Sequence, residues 1–403
     1  MVKPKSFRCP YHIIVCQYQH HRNFKYATKL TFSYLDIGRY FNNIPLYKIV
    51  YNEATSRLTE FMDVTRRSLV QGLAGCGLLA AFPSLARAES PLLLPFGKMP
   101  MPGNIRQVLS AGAPADMLLL ALAPQLLLGF SSFDLRQGAQ WLSPSISQLP
   151  KLGRLAGRAS TLSLEQLLAL QPDLIIDCGD ISDTFRSLAQ RTVTQTNIPY
   201  LLVSGKLTDS PAQLKQTGAV LGVDSQAAQL AAMAEQILGD ARTFAASTGR
   251  NLSFYAARGA RGLETGVTGS LHTEAIELLG LRNVVSDTDR KGLAQVSLEQ
   301  ILLWQPDLII TQDEATWQHI TQSPQWRGIT AVKQQQVLLY RRFPFGWLDA
   351  PPGVNRLLGV RRLQAHLDSG LRSAFKAEMQ QFFQQFFHST LSDDDYHTLV
   401  PTI

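Results

Sequence analysis

The chain has 403 residues, 45% of them apolar and 17% charged, which fits a globular protein of about two domains. Its formal charge of +7 sits at the front: residues 1–61 hold nine Lys/Arg against three Asp/Glu, and residues 62–88 hold three Arg against one Asp. The remaining body is close to neutral, which excludes nucleic-acid binding as the meaning of that charge.

Residues 1–61 carry seven of the eleven tyrosines and no periodicity of helix or strand. Met62 then opens Met62-Asp63-Val64-Thr65-Arg66-Arg67-Ser68-Leu69. It reads as the true start, with 1–61 as translated upstream sequence; the alternative is a basic extension. From Met62 the pattern is an export signal. Arg66-Arg67 form the charged region, 69–82 the apolar region, and Ala86-Arg87-Ala88 a small-residue cleavage site. Thr-Arg-Arg-x-Leu resembles the twin-arginine type. Leu73-Ala74-Gly75-Cys76 resembles a lipoprotein box, but Cys76 follows the arginines too closely and apolar sequence continues beyond it. The mature chain is expected to begin near Glu89, in the periplasm. It contains one cysteine, Cys178, so it forms no intramolecular disulfide.

Residues 89–104 are Pro-rich and read as an irregular lead-in. A strand at 106–110, a turn at 111–114, a helix at 115–123 and a strand at 125–130 follow. No G-x-G-x-x-G is present, so nothing supports a dinucleotide site. Residues 131–157 are loop-rich and contain Phe133, Trp141 and Arg154.

Next comes a phrase written twice. Ser163-Leu164-Glu165-Gln166-Leu167-Leu168-Ala169-Leu170-Gln171-Pro172-Asp173-Leu174-Ile175-Ile176 returns from Ser297 to Ile310 with most positions matched in register. Ser followed three residues later by Gln is a capping box, so each copy starts a short helix. Pro172 and Pro306 stop that helix. Leu-Ile-Ile reads as a strand buried on both faces, as in parallel sheets. Two copies imply two similar α/β lobes.

Between the copies, 185–190 reads as helix and 200–203 as strand. Residues 210–248 form the longest helical region, with Ala-rich periodicity over 226–246 and the look of a rigid connector. The second lobe adds a strand at 252–256, a Gly-rich loop at 258–270, a helix at 273–279 and a strand at 337–340. An aromatic loop at 341–352 and a helix at 354–367 close it. A Phe/Gln-rich helix at 375–387 and a polar tail end the chain. The expected division is 89–209, 210–248, 249–369 and 370–403.

In parallel α/β sheets, ligands bind beyond the carboxyl ends of the strands. That points at the loops around residues 111, 131–134, 177–180, 258–264, 311–314 and 341–347, facing one another across an interlobe cleft. Nucleophile, metalloprotease and P-loop motifs are absent. The histidines of the mature chain, His272, His319, His366, His388 and His397, are scattered. No enzyme, cofactor or resident metal is expected.

The export signal, the two copies of L-x-P-D-L-I-I-type sequence and the long helix between them resemble the helical-backbone (class III) substrate-binding proteins of ABC importers. These bind ferric siderophores, haem and vitamin B12. The resemblance covers roughly 105–367. It implies two Rossmann-like lobes with mainly parallel sheets, one joining helix, little hinge motion, and a chelate held by arginines and aromatics. The implied ligand is an iron complex, a ferric siderophore first. Haem, cobalamin, a nickel chelate or molybdate/tungstate are the alternatives. Carried over by position, the ligand candidates are Trp141 and Arg154 in lobe one and Tyr255, Arg258, Tyr340 and Trp347 in lobe two. The implied partner is an inner-membrane permease, docked through an acidic residue on each lobe, with the protein as a monomer. Asp180 or Asp183 fits lobe one. In lobe two Arg282 stands where the family often has Glu, so Glu274 or Glu277 would have to serve.

Overall fold

The structure is a computed structural model. It describes residues 91–400 apart from 134, 136–137, 157–159, 180, 248–251 and 287–291. The upstream segment, the export signal with Cys76, and Asp180 lie outside the described residues.

Lobe one is a four-stranded sheet made of β1 (Leu93–Phe96), β2 (Val108–Ser110), β3 (Leu174–Gly179) and β4 (Tyr200–Ser204), in the order β1-β4-β3-β2. Strands β2, β3 and β4 run parallel, and β1 lies antiparallel on the edge. Helices α1 (Ala113–Leu122), α2 (Pro144–Ser147), α3 (Leu164–Leu170) and α4 (Asp183–Thr196) connect them. Two expectations are corrected here. The Pro-rich lead-in contains β1, where Pro95 is tolerated because an edge strand has one side unpaired. Residues 125–130 are not a strand. Pro124 opens a 3-10 turn, and the segment makes only single bridges, Val108 to Leu127 and Phe130 to Lys151.

Helix α5 (Ser210–Leu221) ends at Gly222, whose φ of +73° lets the chain turn straight into α6 (Asp224–Ser247). Helix α6 has 24 residues, about 36 Å at 1.5 Å per residue. Ala227, Leu230, Ala231, Ala234, Ile237, Leu238, Ala241 and Phe244 are its buried stripe.

Lobe two contains β5 (Ser253–Ala257), β6 (Glu264–Gly266), α7 (Glu274–Glu277), β7 (Arg282–Asn283), β8 (Leu293–Gln295), α8 (Leu298–Trp304), β9 (Leu308–Thr311), α9 (Glu314–Gln322), α10 (Thr330–Lys333) and β10 (Val337–Leu339). Its parallel sheet has the order β10-β9-β5-β7, and β6 pairs with β8 separately, antiparallel. The loop read as Gly-rich thus carries a short strand. Helices α11 (Arg356–Leu367), α12 (Ser369–Arg372), α13 (Phe375–Phe386) and α14 (Asp393–Leu399) complete the chain. The end read as a polar tail is therefore α14, with Tyr396 and Leu399 buried.

Both copies of the phrase fold alike. Ser163 Oγ accepts from the Gln166 amide while Gln166 Oε1 accepts from the Ser163 amide, and Ser297 and Gln300 repeat the exchange. Gln171 and Gln305 both sit at φ +46°, just before the prolines. Strand alternation then sorts the core. Leu174, Ile176 and Cys178 of β3 join Leu201 and Val203 of β4, Phe254 and Ala256 of β5, and Leu308 and Ile310 of β9 in one cluster that spans both lobes. The opposite faces feed separate clusters, Ile175 and Tyr200 in lobe one, Tyr255, Ala257 and Ile309 in lobe two.

Candidate functional site

In lobe two the carboxyl ends of β5 and β9 open into a hollow. Arg258, His272, Gln312, Arg342 and Asp349 line it. Asp349 is 4% exposed and is the organising group. It accepts from the Arg258 guanidinium, from the Gln312 amide and from His272 Nδ1 at 2.9 Å. Arg258 also reaches Glu264 Oε1 at 3.4 Å, and its backbone bridges that of Glu264 in both directions. Burial lowers the Arg258 pKa, an effect that Glu264 opposes and Arg342 reinforces. Arg342 stands exposed at the rim with no ion pair among the described residues. The hollow has a volume of about 20 Å³, room for about one water.

The strand ends of lobe one hold two buried carboxyls. Asp116 on α1 accepts from the Ser131 amide at 3.0 Å and from Ser131 Oγ at 2.7 Å, and so pins the start of the loop that leads to Trp141. Burial pushes its pKa up to about 7 against those hydrogen bonds. Asp177 accepts from the Tyr200 hydroxyl at 3.0 Å, and burial raises it to about 6. The neighbouring Cys178 thiol is pushed up to about 12, first by burial and then by Asp177, which leaves it an inert core thiol.

Between the lobes stands an aromatic wall. Trp141 stacks on Phe343 with ring centroids 5.3 Å apart and planes 30° apart. Phe133 meets Phe345 edge-on at 5.0 Å, and Phe345 meets Phe387 at 5.3 Å. Gly138 allows this approach: a Cβ there would lie 3.1 Å from Pro344 Cα. Below the wall, Arg356 at the head of α11 pins the lobes together. It is 1% exposed and donates to the Gly205 carbonyl of lobe one at 2.8 Å. It also donates to the Leu271 carbonyl at 3.0 Å and to Glu274 Oε2 at 2.8 Å in lobe two. Glu274 Oε1 in turn accepts from the Leu207 amide of lobe one at 2.9 Å.

The candidates read from the sequence separate accordingly. Arg258 sits in the hollow and Trp141 in the wall. Arg154 is half-buried in the lobe-one loop, its amide donating to Thr161 Oγ1 at 3.0 Å. Tyr255, Tyr340 and Trp347 are interior side chains, each at most 1% exposed. Tyr255 lies in mid-strand with its hydroxyl on the Gly262 carbonyl at 2.8 Å. The Arg362 guanidinium lies over the Tyr340 and Trp347 rings, 4.1 and 5.1 Å from their centroids. Trp347 donates its indole N–H to the Phe343 carbonyl at 3.1 Å, which makes it the internal brace of the aromatic loop. The docking candidates divide too. Asp183 is exposed at the head of α4. Glu274 is spent in the interlobe pin, and Glu277 accepts from the Gly269 amide at 3.0 Å and from Asn283 at 3.3 Å. Asp349, His272, Gln312 and Arg342 were not found from the sequence. Position gave a signal for two of them: Gln312 follows β9, and Arg342 opens the aromatic loop.

Comparison with known proteins bears on the family and the fold. Residues 150–342 match the family described as periplasmic binding protein. A solved ABC transporter solute binding protein from Sulfurospirillum deleyianum superposes with a TM-score of 0.69 at 28% identity, covering 75% of this chain and 96% of its own. The vitamin B12-binding protein of Pectobacterium carotovorum is 32% identical over 37% of this chain, and the match spans 53% of that relative's length. The molybdate-binding protein MolA of Haemophilus influenzae is 26% identical, over 61% of this chain and 76% of its own.

Proposed function

For a chain with the fold and family signature of the helical-backbone solute-binding proteins of ABC importers, we propose reversible capture of an anionic, metal-bearing solute and its delivery to an inner-membrane permease. The protein acts in the periplasm after twin-arginine-type export, as a monomer, and no bond is made or broken. The observation that carries the reading is the guanidinium pair at the strand ends. Arg258 is paired with Asp349 and Glu264, while Arg342 beside it lies exposed at the rim with no ion pair among the described residues. An anion entering the cleft meets a forked donor whose position the aromatic loop fixes. The small hollow and the closed aromatic wall favour a compact oxyanion such as molybdate or tungstate, which needs little opening. MolA, as a relative of this chain, supports that choice. The aromatic wall itself supports a second reading, a ferric siderophore whose rings stack once Trp141 and Phe343 part. Asp183 is the lobe-one contact for the permease.

Calorimetric titration of the mature chain tests this. The panel is molybdate, tungstate, a ferric siderophore, haem, cobalamin and a nickel chelate. Molybdate or tungstate is expected to bind, and Arg342→Ala to weaken it roughly tenfold, as loss of a charge-assisted hydrogen bond does. Binding of no panel member, or an unchanged affinity in Arg342→Ala, would sink the reading.

A further inference from the structure

The segment after α12 does not end at the second lobe. Helix α13 packs on α11 and on α1 of lobe one. The Gln226 side-chain amide donates to the Gln385 carbonyl at 3.3 Å. His388 sits in the left-handed region at φ +49°, and its Nε2 donates to the Ala121 carbonyl at 3.1 Å, at the end of α1. Ser389 Oγ then donates to the Trp141 carbonyl at 2.7 Å. Phe387 closes the strap by packing its ring on Phe345.

Trp141, at the end of this chain of contacts, is 6% exposed. Phe343 takes one ring face, and its Nε1–H is buried with no acceptor among the described residues. A buried indole N–H without a partner is a donor waiting to be used, because nearly all such groups are paired in native proteins. Stacking is thus already spent inside the protein, and the unspent function of Trp141 is its N–H.

We infer that Trp141 serves the cleft by donating its indole N–H to an oxygen of the solute, and that Ser389, reaching over from the C-terminal strap, is the positioning residue that sets it. This rests on the proposed capture of an oxygen-bearing anion. It makes Ser389, 248 residues along the chain from Trp141, part of the specificity of the site. A solute lacking an exposed acceptor oxygen would leave the N–H unpaired and be discriminated against.

The experiment uses the 15N-labelled mature chain with molybdate as the probe. Its five tryptophans give five indole N–H signals, and Trp141→Phe, which keeps a ring against Phe343, identifies the one from Trp141. On saturation that signal is expected to move downfield. Trp141→Phe should bind molybdate roughly tenfold more weakly, and Ser389→Ala roughly two- to fivefold more weakly with a displaced Trp141 signal before any molybdate is added. Unchanged affinity in Trp141→Phe, or a Trp141 signal that stays put while molybdate binds, overturns the donor role and leaves the proposed function standing. A Ser389→Ala protein with the parent's signal and affinity overturns the positioning role. A parent chain that binds no oxyanion overturns the function and this inference together.

Discussion

Replacing Arg356 by methionine keeps the aliphatic stem and removes every donor of the interlobe pin. In the parent, those donors satisfy the carbonyls of Gly205, Leu271 and Gly353 and one oxygen of Glu274. After the substitution the direct link to Gly205 of lobe one is gone, and Glu274, with 19% of its side chain exposed, keeps only the Leu207 amide. Breaking one side of a buried ion pair costs about 3–5 kcal/mol, because the other charge stays behind without its partner. Glu274 retains some solvent, which places the expected loss at about 3 kcal/mol, near the lower end of that range. The assay is urea unfolding of the mature chain, followed by far-ultraviolet circular dichroism and tryptophan emission. Arg356→Met should shift the midpoint down at nearly constant slope, since the surface exposed on unfolding is almost the same. Glu274→Gln should do likewise, as the amide oxygen still accepts from Leu207 while the arginine loses its counter-charge. A loss below about 1 kcal/mol in Arg356→Met, the range of an exposed surface pair, would refute the claim that this contact holds the lobes together.

Other outcomes follow from the same structure. Asp116, raised to about 7 by burial, holds its proton more tightly folded than unfolded. Its stabilising effect is fully present below the unfolded carboxyl pKa and is lost as pH rises through about 7. The difference in stability between the parent and Asp116→Asn should therefore vary between about pH 4 and 7, with the parent losing ground as pH rises, and level off above that; a constant difference would contradict the shift. Ser163→Ala and Ser297→Ala each remove one capping box and should each cost about 1 kcal/mol. The sites are in separate lobes, so the double variant should show the sum, and coupling well above 0.5 kcal/mol would argue against independence. Gly359→Ala should be poorly tolerated, because a Cβ there meets the Trp347 carbonyl, where α11 crosses the aromatic loop. Overpacking of this kind costs about 1–3 kcal/mol in chemical denaturation.

Local chemistry was legible and long-range pairing was not. Ser163, Gln166 and Pro172 lie within ten positions of one another, so their capping box and helix stop could be read, and the same held for Ser297. Tyr255 is a different lesson. Its parity was available: it pairs with Ile309 in the parallel register and points to the same cluster, so mid-strand position already argued for core. Glu274 could not be assigned from sequence. Its partner Arg356 is 82 residues away, and only the packing of α11 beneath the cleft joins them. Asp349 is similar, gathering Arg258, His272 and Gln312 from 91, 77 and 37 residues away. The Phe-rich helix was placed correctly, but nothing local showed that it would cross to lobe one.

The shared core has a consequence for how the protein can be made. Leu118 and Leu119, near the start of the described chain, lie in the same cluster as Phe382, Phe386 and Phe387, near its end. The first lobe cannot finish burying its apolar surface until the last helices have been synthesised. A fragment cut at the long helix would expose the face of α1 that α13 covers.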